Sequence, residues 1–81
     1  MRTDRIKEQW EDFYDQVLKP VRPSTIQVKE MRRAFYAGAE ALCRITFDIA
    51  AIKDNNVCEE EMQGLDTELV AFADDVKAER A

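Results

Sequence analysis

Between Lys19 and Arg33 the chain places five basic residues, Lys19, Arg22, Lys29, Arg32 and Arg33, against one acid, Glu30. Lys29 and Arg33 are four apart, so they share a face of any helix that holds them. Ser24 and Thr25 stand just ahead, where a helix should begin, and a helix start offers free N–H groups and partial positive charge to a phosphate or carboxylate. Aromatic side chains surround this stretch in sequence: Trp10 and Tyr14 before it, Tyr36 one turn beyond Arg32. Cations for phosphates and rings for bases make up the chemistry of holding a nucleotide. Lys29, Arg32 and Arg33 are the candidate phosphate contacts, with Tyr14, Tyr36 and Trp10 as the candidate stacking rings.

Bond-breaking chemistry has no such equipment. Histidine, the commonest general base and metal ligand, is absent from all 81 residues. No nucleophile–base pair can be read from the spacing. Cys43 and Cys58 lack the density of a disulfide scaffold and the spacing of a zinc site, and read as buried small hydrophobes. Consecutive Glu59, Glu60 and Glu61 point apart on a helix and suit a helix start better than a metal. The expectation is a protein that is not an enzyme, with no cofactor and no metal.

The elements that must position these residues are helices. Two Gly and two Pro, both prolines within Pro20–Pro23, favour a few long helices. Ile6, Trp10, Phe13 and Val17 step 4-3-4 along one face and predict a helix over residues 4–19. The prolines place a turn at 20–24. Ser24 and Gln27 fit a capping box. Val28, Met31, Phe35, Gly38, Leu42, Ile45, Ile49 and Ile52 then form a seam that predicts a helix over 25–53. Tyr36, Ala39, Cys43, Phe47 and Ala50 form a second stripe beside it. Residues 54–56 read as a turn with Asn56 as cap, and Cys58, Met62, Leu65, Leu69, Phe72 and Val76 predict a helix over 57–79. The fold class is all-α and single-domain: a short helix ahead of a long antiparallel hairpin, with Gly38 opposite Phe72. A helix of residues 25–53 would extend roughly 43 Å, more than the first helix can cover. The uncovered apolar stripe predicts a homo-oligomeric bundle.

Charge narrows the partners. The net charge is −5, yet residues 17–53 carry seven basic and three acidic groups while residues 54–81 carry two and nine. A net acidic chain without a helix-turn-helix pattern makes a poor duplex-DNA binder. No apolar run reaches the roughly 20 residues of a membrane span, and the polar start is unlike a signal peptide, so a reducing cytoplasm is expected. The basic cluster has a second reading: if the third helix folds back along the second, Asp74, Asp75 and Glu79 would meet Arg32 and Arg33 as surface pairs. Trp10 and Phe13 likewise also fit the core stripe of the first helix.

The run Glu30-Met31-Arg32-Arg33-Ala34-Phe35-Tyr36-Ala37-Gly38-Ala39, preceded by Pro23 and by Trp10-x-x-Phe13, resembles small phage and prophage proteins, over residues 10 to 42. A short helix before a long antiparallel pair is also similar to the phage anti-CBASS sponge family. The family's characteristic sequence around its first turn and second long helix is not found here, so that similarity is architectural. The resemblance implies a helical oligomer in the host cytoplasm that sequesters a cyclic nucleotide immune signal without degrading it. It implies an aromatic residue of the first helix and a lysine near the start of the second as ligand contacts, where Tyr14 and Lys29 stand. The alternative is an interaction protein, an inhibitor or adaptor that docks on a host protein through its apolar stripe and acidic third helix.

Overall fold

The computed structural model describes residues 1–81 and contains helices and turns but no strand. It divides into two compact units, Met1–Cys43 and Arg44–Ala81. Helix α1, Arg5–Phe13, runs on into a π-helical segment, Tyr14–Leu18, and a short 3₁₀ turn, Lys19–Val21. Helix α2, Thr25–Ala50, passes from the first unit into the second, and α3 spans Asn55–Lys77. All-helical character therefore stands, with boundaries that differ from the sequence reading.

The first helix is not uniform over 4–19. Pro20 has no N–H to donate, and in a regular α-helix its ring would meet the carbonyl of residue 16. The chain widens before it: the N–H of Lys19 bonds the carbonyl of Tyr14, five residues back. A π turn spends one extra residue per turn and so rotates everything beyond it. The apolar face that starts at Trp10 and Phe13 is continued by Leu18 rather than by Val17. Leu18 is 7% exposed and Val17 51%. Val17 as a core residue is corrected on that ground.

Arg22 closes the turn in the left-handed region, with φ 51 and ψ 61, and its N–H bonds the Lys19 carbonyl at 3.1 Å. The chain then enters α2 through the expected capping box. The Gln27 N–H donates to Ser24 Oγ at 3.1 Å, and the Ser24 N–H donates to Gln27 Oε1 at 2.8 Å. Two otherwise unpaired donors are satisfied by one pair of side chains.

Inside the first unit, the ring of Trp10 fixes α1 to α2. It meets Phe35 edge-on at 5.6 Å between centroids and lies 6.0 Å from Phe13, while Phe13 and Phe35 are 5.6 Å apart. Val28, Phe35, Tyr36 and Ala39 are the half-buried residues of this part of α2. They come from both predicted stripes, so α1 lies between the two. Gly38 belongs to the expected seam, but a Cβ there would meet nothing within 4 Å.

In the second unit α2 ends at Ala50, not 53, and Ile52 donates to the Ile49 carbonyl at 3.0 Å in a final tight turn. The cap of α3 is Asp54, not Asn56. Asp54 Oδ1 accepts from Asn56 N at 2.9 Å and Val57 N at 3.2 Å. Helix α3 thus starts two residues early, and Glu59, Glu60 and Glu61 fall beyond its first turn, where the dipole is felt less. Ile49 is the buried apolar residue of this unit. It lines a hollow with Ile45 and Asp48 from α2 and Glu61, Gly64, Leu65 and Glu68 from α3. The far end of α3 closes with Glu79 at φ 58, where Glu79 N bonds Val76 O at 3.1 Å and Arg80 N bonds Asp75 O at 2.8 Å. These are the two bonds of a Schellman cap, made here without glycine.

The π segment makes a prediction about neighbouring residues. Leu18→Ala is expected to cost about 2–4 kcal/mol, because it empties a buried site, whereas Val17→Ala is expected to cost under about 1 kcal/mol. Chemical denaturation of both variants measures the difference; equal losses would contradict the rotated face.

Candidate functional site: a basic face around Tyr36

Lys29, Arg32, Arg33 and Tyr36 recur at 3-1-3 spacing on α2, which brings them round to one side of the helix. The four side chains line one open hollow of about 360 Å³. The Arg32 guanidinium carbon sits 5.6 Å from the centre of the Tyr36 ring, one helical turn on, which holds a planar cation against a π face. Phe35 touches the same tyrosine edge-on at 6.4 Å and ties it to the aromatic cluster. Tyr36 is half-buried, so one part of its ring is fixed and another is open to solvent.

Glu30, the acid within the basic run, is turned elsewhere. It lines a separate, largely apolar hollow with Leu18, Val21, Pro23, Ile26, Gln27 and Met31. The basic side chains therefore share a face on which their sequence neighbour of opposite charge does not intrude. No acidic residue stands in the first turn of α2. A helix start normally favours acids, so the cations just after it raise the local positive potential instead of neutralising it.

The predicted stacking residues separate into three cases. Tyr36 stands in the hollow with the cations. Trp10 does not: it is 7% exposed, surrounded by Phe13, Tyr14 and Phe35, and its ring is committed to packing. That burial favours the packing reading of Trp10 over the stacking one. Tyr14 is half-buried with its ring 6.3 Å from Trp10, and it is not among the residues that line the basic hollow. The π segment begins at Tyr14, so the helix around it is the wide part of the chain.

Sequence reading missed the other flank of Tyr36. A second hollow, about 260 Å³, is lined by Arg2, Thr3, Arg5, Ile6 and Lys7 of the N-terminal segment together with Tyr36. A third joins Ile6 and Tyr36 to Arg33, Ala37, Ala39, Glu40 and Cys43. Counting outward from the proline turn along two antiparallel helices would have placed Ile6 near residue 38. The more acidic than basic balance of residues 1–16 concealed that signal. Arg2 is engaged locally: its Nε bonds Asp4 Oδ1 at 3.1 Å and its guanidinium also pairs with Glu8. Cys43 is exposed and Cys58 half-buried, and the two form no disulfide, so neither is the fully buried hydrophobe expected. Asp75, expected near Arg32 and Arg33, bonds Arg80 in its own unit at 2.8 Å. No set of three or more acidic or cysteine side chains is grouped as metal ligands are, and no helix is long and apolar enough to cross a membrane.

The chain matches no known family, no curated protein and no solved structure.

Because Trp10 is the sole tryptophan, its fluorescence reports this cluster alone. Its emission is expected at the short wavelengths of an apolar site and to resist quenching by iodide. Water-like emission with ready quenching would show the ring free to stack on a ligand.

Proposed function

We propose that the protein acts by binding, holding a nucleotide anion at the basic face around Tyr36 and sequestering it without conversion. The observation that carries this reading is the shared hollow of Lys29, Arg32, Arg33 and Tyr36, with a guanidinium already laid on the tyrosine ring. Such a surface offers charge-assisted bonds to phosphate and a π face to a base. Among nucleotides, a cyclic nucleotide immune signal is the class suggested by the architectural resemblance to the anti-CBASS sponge family, and the Glu30–Ala39 run suggests only a phage protein. Sequestration asks for affinity only, and residues that hold phosphate and stack a base suffice for it.

Exposed apolar surface leads us to propose assembly as well. Trp10, Leu18 and Ile49 are the buried apolar side chains of the chain. At roughly 2–3 kcal/mol each they contribute little against the ordering of a domain. Ile26 and Phe47 stay more than two-thirds exposed, and Leu69, Val70 and Phe72 more than half. A homo-oligomeric bundle, with α2 and α3 as a long hairpin, would cover that surface.

Calorimetry against cyclic di- and trinucleotides tests the binding. Micromolar or tighter affinity is expected for at least one, falling about tenfold or more in Lys29→Ala and in Arg33→Ala. No binding, or affinity unchanged in both variants, would sink the reading.

A second reading rests on α3. Its exposed Leu69, Val70, Phe72 and Val76 lie among Asp66, Glu68, Asp74 and Asp75, a surface suited to a host protein with a basic, apolar face. Stoichiometric capture of one host protein, abolished when those four acids are reversed, would favour it over nucleotide binding.

A further inference from the structure

Tyr36 is shared by two basic surfaces, one from each helix of this unit. Lys29, Arg32 and Arg33 approach it along α2, and Arg5 and Lys7 approach it from the first turn of α1. Arg5 and Lys7 are exposed and lie next to Ile6, which packs toward Tyr36 in both neighbouring hollows. The acids closest in sequence are already engaged: Asp4 and Glu8 are both held by Arg2. Glu40, which lines the third hollow beside Arg33, has a partner of its own.

Two further facts point the same way. The Asp4 side chain accepts from Arg2 rather than from the helix, so the first N–H groups of α1 have no side-chain cap. Those groups carry the positive end of the helix dipole toward the same flank. Arg5 and Lys7 also stand where cations weaken a helix, in its first turn. Helix stability therefore does not account for them, and an anion placed beside them would.

We infer that the site takes a ligand with two phosphate groups, one on each side of the nucleoside seated at Tyr36. Lys29, Arg32 and Arg33 hold one phosphate, and Arg5 and Lys7 with the open start of α1 hold the other. The ligand class is a nucleotide phosphorylated at both its 3′ and 5′ positions, as each unit of a 3′,5′-linked cyclic oligonucleotide and each internal unit of a linear one is, and not a nucleoside monophosphate. This rests on the nucleotide-binding reading above and adds the second flank to it.

The probes are the 3′,5′-bisphosphates and the 5′-monophosphates of the four ribonucleosides, titrated by calorimetry. At least one bisphosphate is expected to bind tenfold or more tightly than its monophosphate. Arg5→Ala with Lys7→Ala is expected to remove the difference, bringing the bisphosphate down to the affinity of the monophosphate. Lys29→Ala with Arg33→Ala is expected to weaken both ligands. Equal affinity for the two ligands would overturn the second phosphate position alone, provided Lys29→Ala with Arg33→Ala still weakens them. So would a bisphosphate affinity that ignores Arg5→Ala with Lys7→Ala. If no probe and no cyclic nucleotide binds, both the inference and the reading it rests on fall. All four residues are exposed, and unchanged helicity by circular dichroism separates lost contacts from lost folding.

Discussion

The edge-to-face contact between Trp10 and Phe35 is the interaction on which the N-terminal unit depends. Helix α1 has nine residues, below the length at which a helix persists alone in water. It therefore exists because one of its rings is buried against α2. Once Trp10 is seated, with Phe13 beside it on the same partner, the direction of α1 is set. That direction carries the N-terminal segment back along α2 as far as Tyr36. The cations of the two helices meet around one tyrosine because of a packing contact that itself touches no ligand.

Much of this was legible in the residues. The 4-3 spacing of Trp10 and Phe13, the capping box of Ser24 and Gln27, and the grouping of Lys29, Arg32, Arg33 and Tyr36 all follow from helical periodicity and cap chemistry. What escaped had a different physical origin. The burial of Leu18 in place of Val17 depends on how Pro20 distorts the turn before it, and periodicity assumes an undistorted helix. The flank formed by Arg5 and Lys7 depends on which residues become neighbours after the chain reverses. Segment charge could not reveal it, because Asp4 and Glu8 cancel those cations in a sum while both pair with Arg2. Asn56 looked like the cap of α3, but Asp54 reaches two N–H groups from a position two residues earlier.

Charge and apolar surface divide differently between the two units. Met1–Cys43 holds eight basic and seven acidic groups, and Arg44–Ala81 holds four and ten. The N-terminal unit groups Lys29, Arg32 and Arg33 on one face while Glu30, their neighbour in sequence, lines another hollow. The C-terminal unit presents apolar residues within a strongly acidic surface. Pairing two copies through α3 alone would bring like charges together, so any assembly must combine burial of Leu69, Val70 and Phe72 with separation or neutralisation of their acidic neighbours.

The π-helical segment has a consequence for how this chain could vary. A π turn amounts to an α-helix that has gained one residue, and Tyr14–Leu18 holds that surplus residue between Phe13 and Leu18. Removing a single codon from this stretch would put the leucine four positions after Phe13, on the same face in ordinary α geometry. Relatives one residue shorter here would keep the buried face with the narrower helix, and their alignment gap would mark the place where the wide turn was gained.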